Sequence, residues 1–338
     1  MKGHQVTIKD IAKILHISPS TVSRALKDHP DINPQTKKNV KDLAEKLNYK
    51  PNKVALSLLQ QESKIIGVII PEIIHYFFST VISGIEKVAN EAGYQIIIAQ
   101  SNESYYKEVE NVQALLSSNI DGFIISMAKT TMQFDHFKNI EEIGVPMVFF
   151  DRSCDVVNAD RVIVDDYDGA YKATKHLIDK GCKNIIHLAG PLNLDIGKNR
   201  KEGYLAALNE SNLPIHDYSI QICDTKEHAL QLIPELLRRQ PTIDGIFAVN
   251  DLTAVGAIKA IKSIHKDVPK DFLVVGFTNS FISEISEPEL TTVDQKGFEM
   301  GQNAARLLLK RIQSNENYGP VTTILNTELV ERKSSMKK

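Results

Sequence analysis

Between Pro19 and Lys27 the chain sets hydroxyls and cations at helical spacing: Ser20, Thr21, Ser23, Arg24 and Lys27 turn away from Val22, Ala25 and Leu26. Such a face can hydrogen-bond phosphates and base edges, and an arginine on it can grip guanine O6 and N7 bidentately. It is also what the solvated side of a three-helix bundle carries. A second set of polar residues follows apolar runs: Tyr76-Phe77, Ser101-Asn102, Asp151-Arg152, Asn250-Asp251 and Thr278-Asn279, with Arg200 ahead of a helix in GKNRKEGY. An arginine, carboxylates and amides beside aromatic faces suit a polar or polyhydroxylated small ligand. Each of these residues alone could instead cap a helix, Asp251 above all, directly before Leu252. Asp165, Asp166 and Asp168 read as the start of a helix rather than a metal site.

Enzyme chemistry has no comparable support. GPLNLDIGK at Gly190–Lys198 has too many residues between its glycines for a phosphate-binding loop, and Asn199 follows the lysine where Ser or Thr would ligate magnesium. No G-x-G-x-x-G follows a strand, and H-E-x-x-H, C-x-x-C and G-x-S-x-G are missing. His176, inside a helical pattern, reads as packing or capping. No metal, cofactor or catalytic activity is expected.

The elements that would hold these residues are legible in outline. Thr7 caps a short helix with Ile8, Ile11, Ala12 and Leu15 on one face. Ser18-Pro19 starts a second helix to about Leu26, and Asn33-Pro34 a third carrying Val40, Leu43, Ala44 and Leu47. Two short helices joined by a tight turn, the second polar and basic, form a helix-turn-helix. From Lys64 onward, apolar runs such as Ile65–Ile70, Val145–Phe150 and Gly245–Val249 alternate with helical stretches. Strands alternating with helices imply parallel sheets covered on both faces, and ligands in such sheets sit beyond the carboxyl ends of the strands.

Charge divides the chain in the same way. Residues 1–60 hold 11 Lys/Arg against 5 Asp/Glu, whereas the whole chain of 338 residues has a net charge of −2. A basic head on an acidic body suits a head that meets a polyanion, or a solvated basic helix pair. The apolar runs fall far short of a membrane span, and MKGHQVTIKD has no apolar secretory core. Three scattered cysteines, Cys154, Cys182 and Cys223, argue against a disulfide framework and for a reducing cytoplasm.

The stretch VTIKDIAKILHISPSTVSRALKDHPDINPQTKKNVKDLAEKLNYKPN resembles the headpiece of the LacI/GalR family of bacterial transcription repressors. The match is densest at Thr7–Ala12, Ser20–Arg24 and Leu47–Asn52, and it continues more thinly over the rest of the chain. The resemblance implies an all-α helix-turn-helix headpiece (1–50), a hinge helix and linker (51–63), and a two-lobed α/β periplasmic-binding-protein-like domain (64–338). The N-lobe would be about 64–163 plus 295–322, and the C-lobe about 164–293 plus 323–331. Pro19, Ser20 and Arg24 would lie toward base edges, with Thr21 and Lys27 on the same helix; Thr7, Ser23, Thr36 and Tyr49 would lie nearer the DNA backbone. Pro19 cannot donate a hydrogen bond, which weakens direct readout there. In the hinge, Asn52 would cap a helix carrying Ala55 and Leu58, with Leu58 wedging into a central minor-groove step. Leu56 stands where members often carry Arg.

In the second domain the resemblance implies effector binding at Phe77, Asp151, Arg200, Asn250 and Gln295, and Tyr76 and Asn102 join this set by their place just after apolar runs. Thr278 stands where sugar-binding members carry Asp, which changes the ligand's hydrogen-bonding partner there. The implied protein is a cytoplasmic dimer on a palindromic double-stranded operator, controlled by a sugar or, failing that, a nucleobase or other metabolite. The terminal ELVERKSSMKK has no leucine heptads and so favours a dimer over a tetramer. A sugar-transport protein would share the two lobes but has no use for the first three helices.

Overall fold

The first three helices begin on side-chain caps and end on left-handed residues. In the computed structural model, which describes residues 6–49, 62–314 and 319–336, α1 (Ile8–Ile14) opens with a capping box. The Thr7 side chain accepts from the Asp10 N–H, and the Asp10 carboxylate accepts from the Thr7 N–H at 2.8 Å. In α2 (Pro19–Leu26), Ser18 accepts from the Thr21 N–H, and Pro19 takes the first turn, where its missing N–H costs nothing. Asn33 starts α3 (Pro34–Lys46) in the same manner. His16, Asp28 and Asn48 then close the helices with φ of 53°, 56° and 48°. The N–H beyond each, on Ile17, His29 and Tyr49, returns to the carbonyls of Ala12, Arg24 and Ala44. Ile11, Ala12, Val22, Ala25, Val40 and Ala44 form the core of this unit. The expected hinge residues Asn52, Ala55, Leu56 and Leu58 lie outside the described residues.

A second compact unit begins at Ile65. Its first half runs β1 (Ile65–Ile70), α4 (Tyr76–Glu91), β2 (Gln95–Gln100), α5 (Tyr105–Ser117), β3 (Gly122–Ile125), α6 (Asp135–Glu142), β4 (Met147–Phe150) and β5 (Asp160–Val164). The second half runs α7 (Asp166–Asp179), β6 (Ile185–Ala189), α8 (Asp195–Glu210), β7 (Ile220–Ile222), α9 (Lys226–Arg239), β8 (Gly245–Ala248), α10 (Asp251–Ser263), β9 (Leu273–Thr278), α11 (Phe281–Ile285) and β10 (Thr291–Asp294). Then come α12 (Gly297–Gln313), β11 (Thr322–Leu325), β12 (Glu328–Val330) and a 3-10 turn at Lys333–Ser335.

The strands form two six-stranded sheets, ordered β11-β5-β4-β3-β1-β2 and β12-β10-β9-β8-β6-β7. Pairing is parallel except between β10 and β12. Parallel sheets need cover on both faces. In the first lobe Val68, Ile70 and Ile124 pack on α4 and α12, while Phe123, Ile125 and Phe149 pack on α5 and α6. In the second lobe Ile186, Ile246 and Val274 pack on α9 and α10, and Phe247, Val275 and Phe277 on α7 and α8. α4 and α12 cross closely: a Cβ on Gly84 would lie 2.1 Å from the Phe298 carbonyl oxygen, and one on Gly301 2.0 Å from that of Val81.

The chain passes between lobes three times: from β5 to α7, from β10 to α12, and from β11 to β12. The last passage corrects the sequence expectation. The boundary expected at 322/323 falls inside β11, which pairs in full with β5, so the chain leaves the first lobe only after Leu325. Two further corrections concern helix starts. α8 begins at Asp195, so Arg200 lies inside it rather than ahead of it. Asn250, not Asp251, caps α10. Among the described residues no helix is long and apolar enough to cross a membrane.

Candidate functional site

Two surfaces gather the residues singled out above, one in each unit. On α2, Val22 and Ala25 are buried, and Pro19, Ser20, Arg24 and Lys27 are exposed, with Thr21 and Ser23 half-buried beside them. Ser20, Ser23, Arg24 and Lys27 share one stripe at helical spacing. Part of the hydroxyl chemistry is already engaged locally: Ser18 Oγ lies 2.7 Å from Ser20 Oγ and 2.8 Å from Thr21 Oγ1. Thr7 is exposed, but its hydroxyl donates to Asp10 at 2.7 Å. Thr36 and Tyr49 are half-buried, Tyr49 against the core. Arg24 and Lys27, by contrast, project without a protein partner among the described residues.

The second surface lies beyond the carboxyl ends of the strands, between the lobes. Asp151 follows β4 with φ of 58° and is 6% exposed. Its nearest partners are distant: Gln295 Nε2 at 3.5 Å and Arg152 Nε at 3.8 Å. Gln295, at the second passage between lobes, also accepts from Thr278 Oγ1 at 3.0 Å at the end of β9. Burial pushes the Asp151 carboxyl above the usual range, against the pull of Arg152 and Arg200.

Arg200 faces this group from α8. Its Nε donates to Asp166 Oδ1 at 2.8 Å, its Nη1 donates to the Val249 carbonyl at 2.7 Å, and the guanidinium lies 3.8 Å from the centre of the Phe277 ring. Burial raises the Asp166 carboxyl to about 6 despite the adjacent Arg200. Arg152 Nη1 donates to both carboxylate oxygens of Glu103, at 2.9 and 2.8 Å, and to the Met127 carbonyl. The loop after β3 reaches the other lobe, where Lys129 Nζ meets Asp224 at 3.0 Å and the Lys129 carbonyl accepts from Asn193 at 2.9 Å.

Among the residues expected at this site, Asp151, Arg200, Gln295 and Thr278 come together. Phe77 is buried at the start of α4 beside Gly297, and Tyr76 next to it is 48% exposed. Asn250 spends its side chain on structure: it caps α10 at the Thr253 N–H and donates to the Asp224 carbonyl at 2.9 Å. Asn102 is exposed and engaged with Gln100, while its neighbour Glu103 turns into the cluster. Asp251 is a staple, accepting from the Ser280 N–H, Ser280 Oγ and Thr292 Oγ1. Of the three aspartates at the start of α7, Asp165 caps the helix, Asp168 pairs with Lys172, and Asp166 holds Arg200. Glu103, Lys129 and Asp224 went unforeseen, although each lies shortly after a strand. No cluster of His, Cys, Asp and Glu among the described residues could hold a metal.

Below Arg200 lies His187, fully buried and stacked on Phe247 with ring centres 4.5 Å apart. Burial pushes its imidazole down to about 4. The neutral ring is favoured in the folded state, so stability is complete above the ordinary value of 6.5 and falls as pH drops toward 4. The loss is expected to reach roughly 2–3 kcal/mol. Urea unfolding at pH 7.5 and pH 5, read as the difference between wild type and His187→Gln, isolates this slope. An unchanged difference at the two pH values would show that His187 does not titrate this way.

The similarities to known proteins bear on both surfaces. Residues 7–52 match the bacterial regulatory proteins of the lacI family, and residues 63–333 match the periplasmic binding proteins and sugar binding domain of the LacI family. The ribose operon repressor of Halalkalibacterium halodurans is 34% identical over 336 residues, 97% of each chain. Catabolite control protein A of Priestia megaterium is 33% identical over 308 residues, covering 90% of this chain and 92% of that one. The lac repressor dimer bound to operator and the anti-inducer ONPF superposes with a TM-score of 0.86 at 25% identity, over 99% of this chain and all of that one. A LacI family regulator from Enterococcus faecium with bound ribose gives 0.71 at 31% identity, over 80% of this chain and 98% of that one. With a headpiece that displays Arg24 and a two-lobed domain that brings Asp151 and Arg200 together, the chain belongs to the LacI family of DNA-binding transcription regulators.

Proposed function

We propose that this chain is a cytoplasmic repressor which binds a palindromic operator as a homodimer and changes its grip when a sugar occupies the cleft between its lobes. The observation that carries this is the union, on one chain, of a capped helix-turn-helix and a two-lobed unit whose lobe junction holds a poorly partnered buried carboxylate at Asp151. Pro19, Ser20, Thr21, Arg24 and Lys27 meet the major groove, Thr7, Ser23, Thr36 and Tyr49 the backbone, and Asn52, Ala55 and Leu58 the minor groove. In the cleft, Asp151 and Arg200 bind ligand hydroxyls, Thr278 and Gln295 orient Asp151, and Tyr76 and Phe77 cover a sugar face. Asn250 positions Asp224, and Asn102 positions the turn that presents Glu103.

A second copy has apolar surface to cover. Edge strand β2 leaves Ile97 and Ile98 each 40% exposed, and α11 leaves Phe281 and Ile285 56% and 60% exposed. An open apolar edge strand favours pairing, and a two-fold partner would present the same surface in return.

Selection of operators from a random duplex library, at stated salt, tests the reading. A two-fold symmetric consensus is expected. No enrichment, with or without a pool of free sugars, would overturn it. Arg24→Ala is expected to cost about 1–3 kcal/mol of operator affinity with little effect on random duplex. Filter binding to both duplexes checks this, and equal losses on the two would remove Arg24 from base readout.

A further inference from the structure

The charges of the cleft form closed pairs with one acceptor left over. Arg152 is held by both oxygens of Glu103 at 2.8 and 2.9 Å. Arg200 is held by Asp166 and the Val249 carbonyl at 2.8 and 2.7 Å. Lys129 is held by Asp224 at 3.0 Å. The group left without a close partner is Asp151, 6% exposed, whose carboxylate has no hydrogen-bond or ion-pair partner nearer than 3.5 Å among the described residues. Three cations against four carboxylates leave the cluster with net negative charge; Asp151, Asp166, Glu103, Arg152 and Arg200 are largely out of water, where like charges repel most strongly, while Lys129 and Asp224 are half-buried.

Helix ends could reverse this balance, since an N-terminus carries about half a positive charge. The ends of α7 and α10 are already occupied by the side-chain oxygens of Asp165 and Asn250. The first turn of α4 has no side-chain cap, but Glu72 stands just before it, paired with His75 at 2.8 Å. Half a charge at one end does not offset a full carboxylate at Asp151.

We propose that the cleft takes an uncharged, hydroxyl-rich ligand and excludes the phosphorylated form of the same sugar, with Glu103 and Asp224 as the residues that set this choice by neutralising Arg152 and Lys129. This rests on the reading of the cleft as the effector site. Asp151 accepts hydrogen bonds from the ligand's hydroxyls, and the remaining terminal nitrogen of Arg200 donates to a hydroxyl oxygen. A phosphate would have to break an existing ion pair before it gained a cation. Removing the charge of Glu103 or Asp224 releases a cation that a phosphate can use.

The test is thermal melting and calorimetric titration of the full chain against matched pairs: D-ribose and D-ribose 5-phosphate, D-glucose and D-glucose 6-phosphate, D-fructose and D-fructose 6-phosphate. Wild type is expected to bind a free sugar at least about tenfold more tightly than its phosphate, the worth of roughly one pK unit of charge interaction. Glu103→Gln and, independently, Asp224→Asn are expected to narrow that ratio by about tenfold; two variants in different lobes guard against one that folds poorly. Tighter binding of any phosphate by wild type, lost in Asp151→Asn, would overturn the proposal and leave the effector cleft standing. Binding of either member that is unchanged in Asp151→Asn would overturn the cleft reading itself, and the proposal with it. No binding of any pair member would likewise remove both.

Discussion

Asp151→Asn is expected to make the free protein more stable and the ligand response much weaker. The carboxylate is buried, and its partners stand at 3.5 and 3.8 Å. A buried charge without a close partner costs free energy, whereas an amide in its place costs less. Asparagine is also better tolerated than most residues at φ of 58°. Together these give a gain of about 1–2 kcal/mol at pH 7. The sign follows from the raised carboxyl of Asp151. Wild-type stability from this group is complete below the ordinary value of 3.8 and falls as pH rises through the higher folded value. The advantage of the variant therefore grows with pH above 4 and vanishes in acid. Ligand binding moves the other way, because a charge-assisted hydrogen bond of about 1.5–3 kcal/mol is lost, or roughly 10- to 150-fold in affinity. Melting curves with and without the sugar that wild type answers to read both effects. A variant that is less stable, or that binds normally, would show that Asp151 is satisfied by the protein rather than waiting for a ligand.

Arg200→Ala is expected to damage stability and ligand response together. It leaves the Asp166 side chain, 3% exposed, without its cation, takes a donor from the Val249 carbonyl and strips the face of Phe277. Breaking one side of a buried pair costs about 3–5 kcal/mol. Protonation limits this cost. The Asp166 carboxyl already stands at about 6, and it rises further once Arg200 is gone, so near pH 6 it sheds its charge. The destabilisation relative to wild type should therefore be smaller at pH 6 than at pH 8, which urea unfolding at the two values measures. Arg200→Met combined with Asp166→Asn should recover most of the stability and none of the ligand response. Recovery of both would make Arg200 a scaffold residue alone.

What the sequence made legible follows the range of the forces involved. Ser18-Pro19 and Asn33-Pro34 announce helix starts because capping acts within three residues. The runs at Ile65–Ile70 and Gly245–Val249 announce strands because a parallel strand buried on both faces is apolar throughout. β12, three residues long, is too short to carry a pattern. The pairing of Arg200 with Asp166 joins residues 34 apart on different helices, so local reading assigned Asp166 to a helix start. Asn102 stays on the surface and Glu103 turns inward across two left-handed residues, with φ of 50° and 56°. Two such residues in succession redirect the chain, and which side chain faces inward cannot be read from alternation.

The threefold passage between lobes sets an order of assembly during synthesis. β5 is complete by Val164, yet its outer neighbour β11 arrives much later: the Val321 N–H that bonds Asp160 follows it by 161 positions. At roughly 5–20 residues per second, a ribosome takes about 8–30 s to supply it. Throughout that interval Arg161–Val164 is an open parallel edge, a site for wrong pairing between nascent chains. The headpiece needs nothing beyond its own three helices to complete its core, so it can fold first on a body that is still being made. No single cut separates the lobes without taking a strand or a helix from one of them, so a message truncated before β11 yields a headpiece carrying two unfinished sheets.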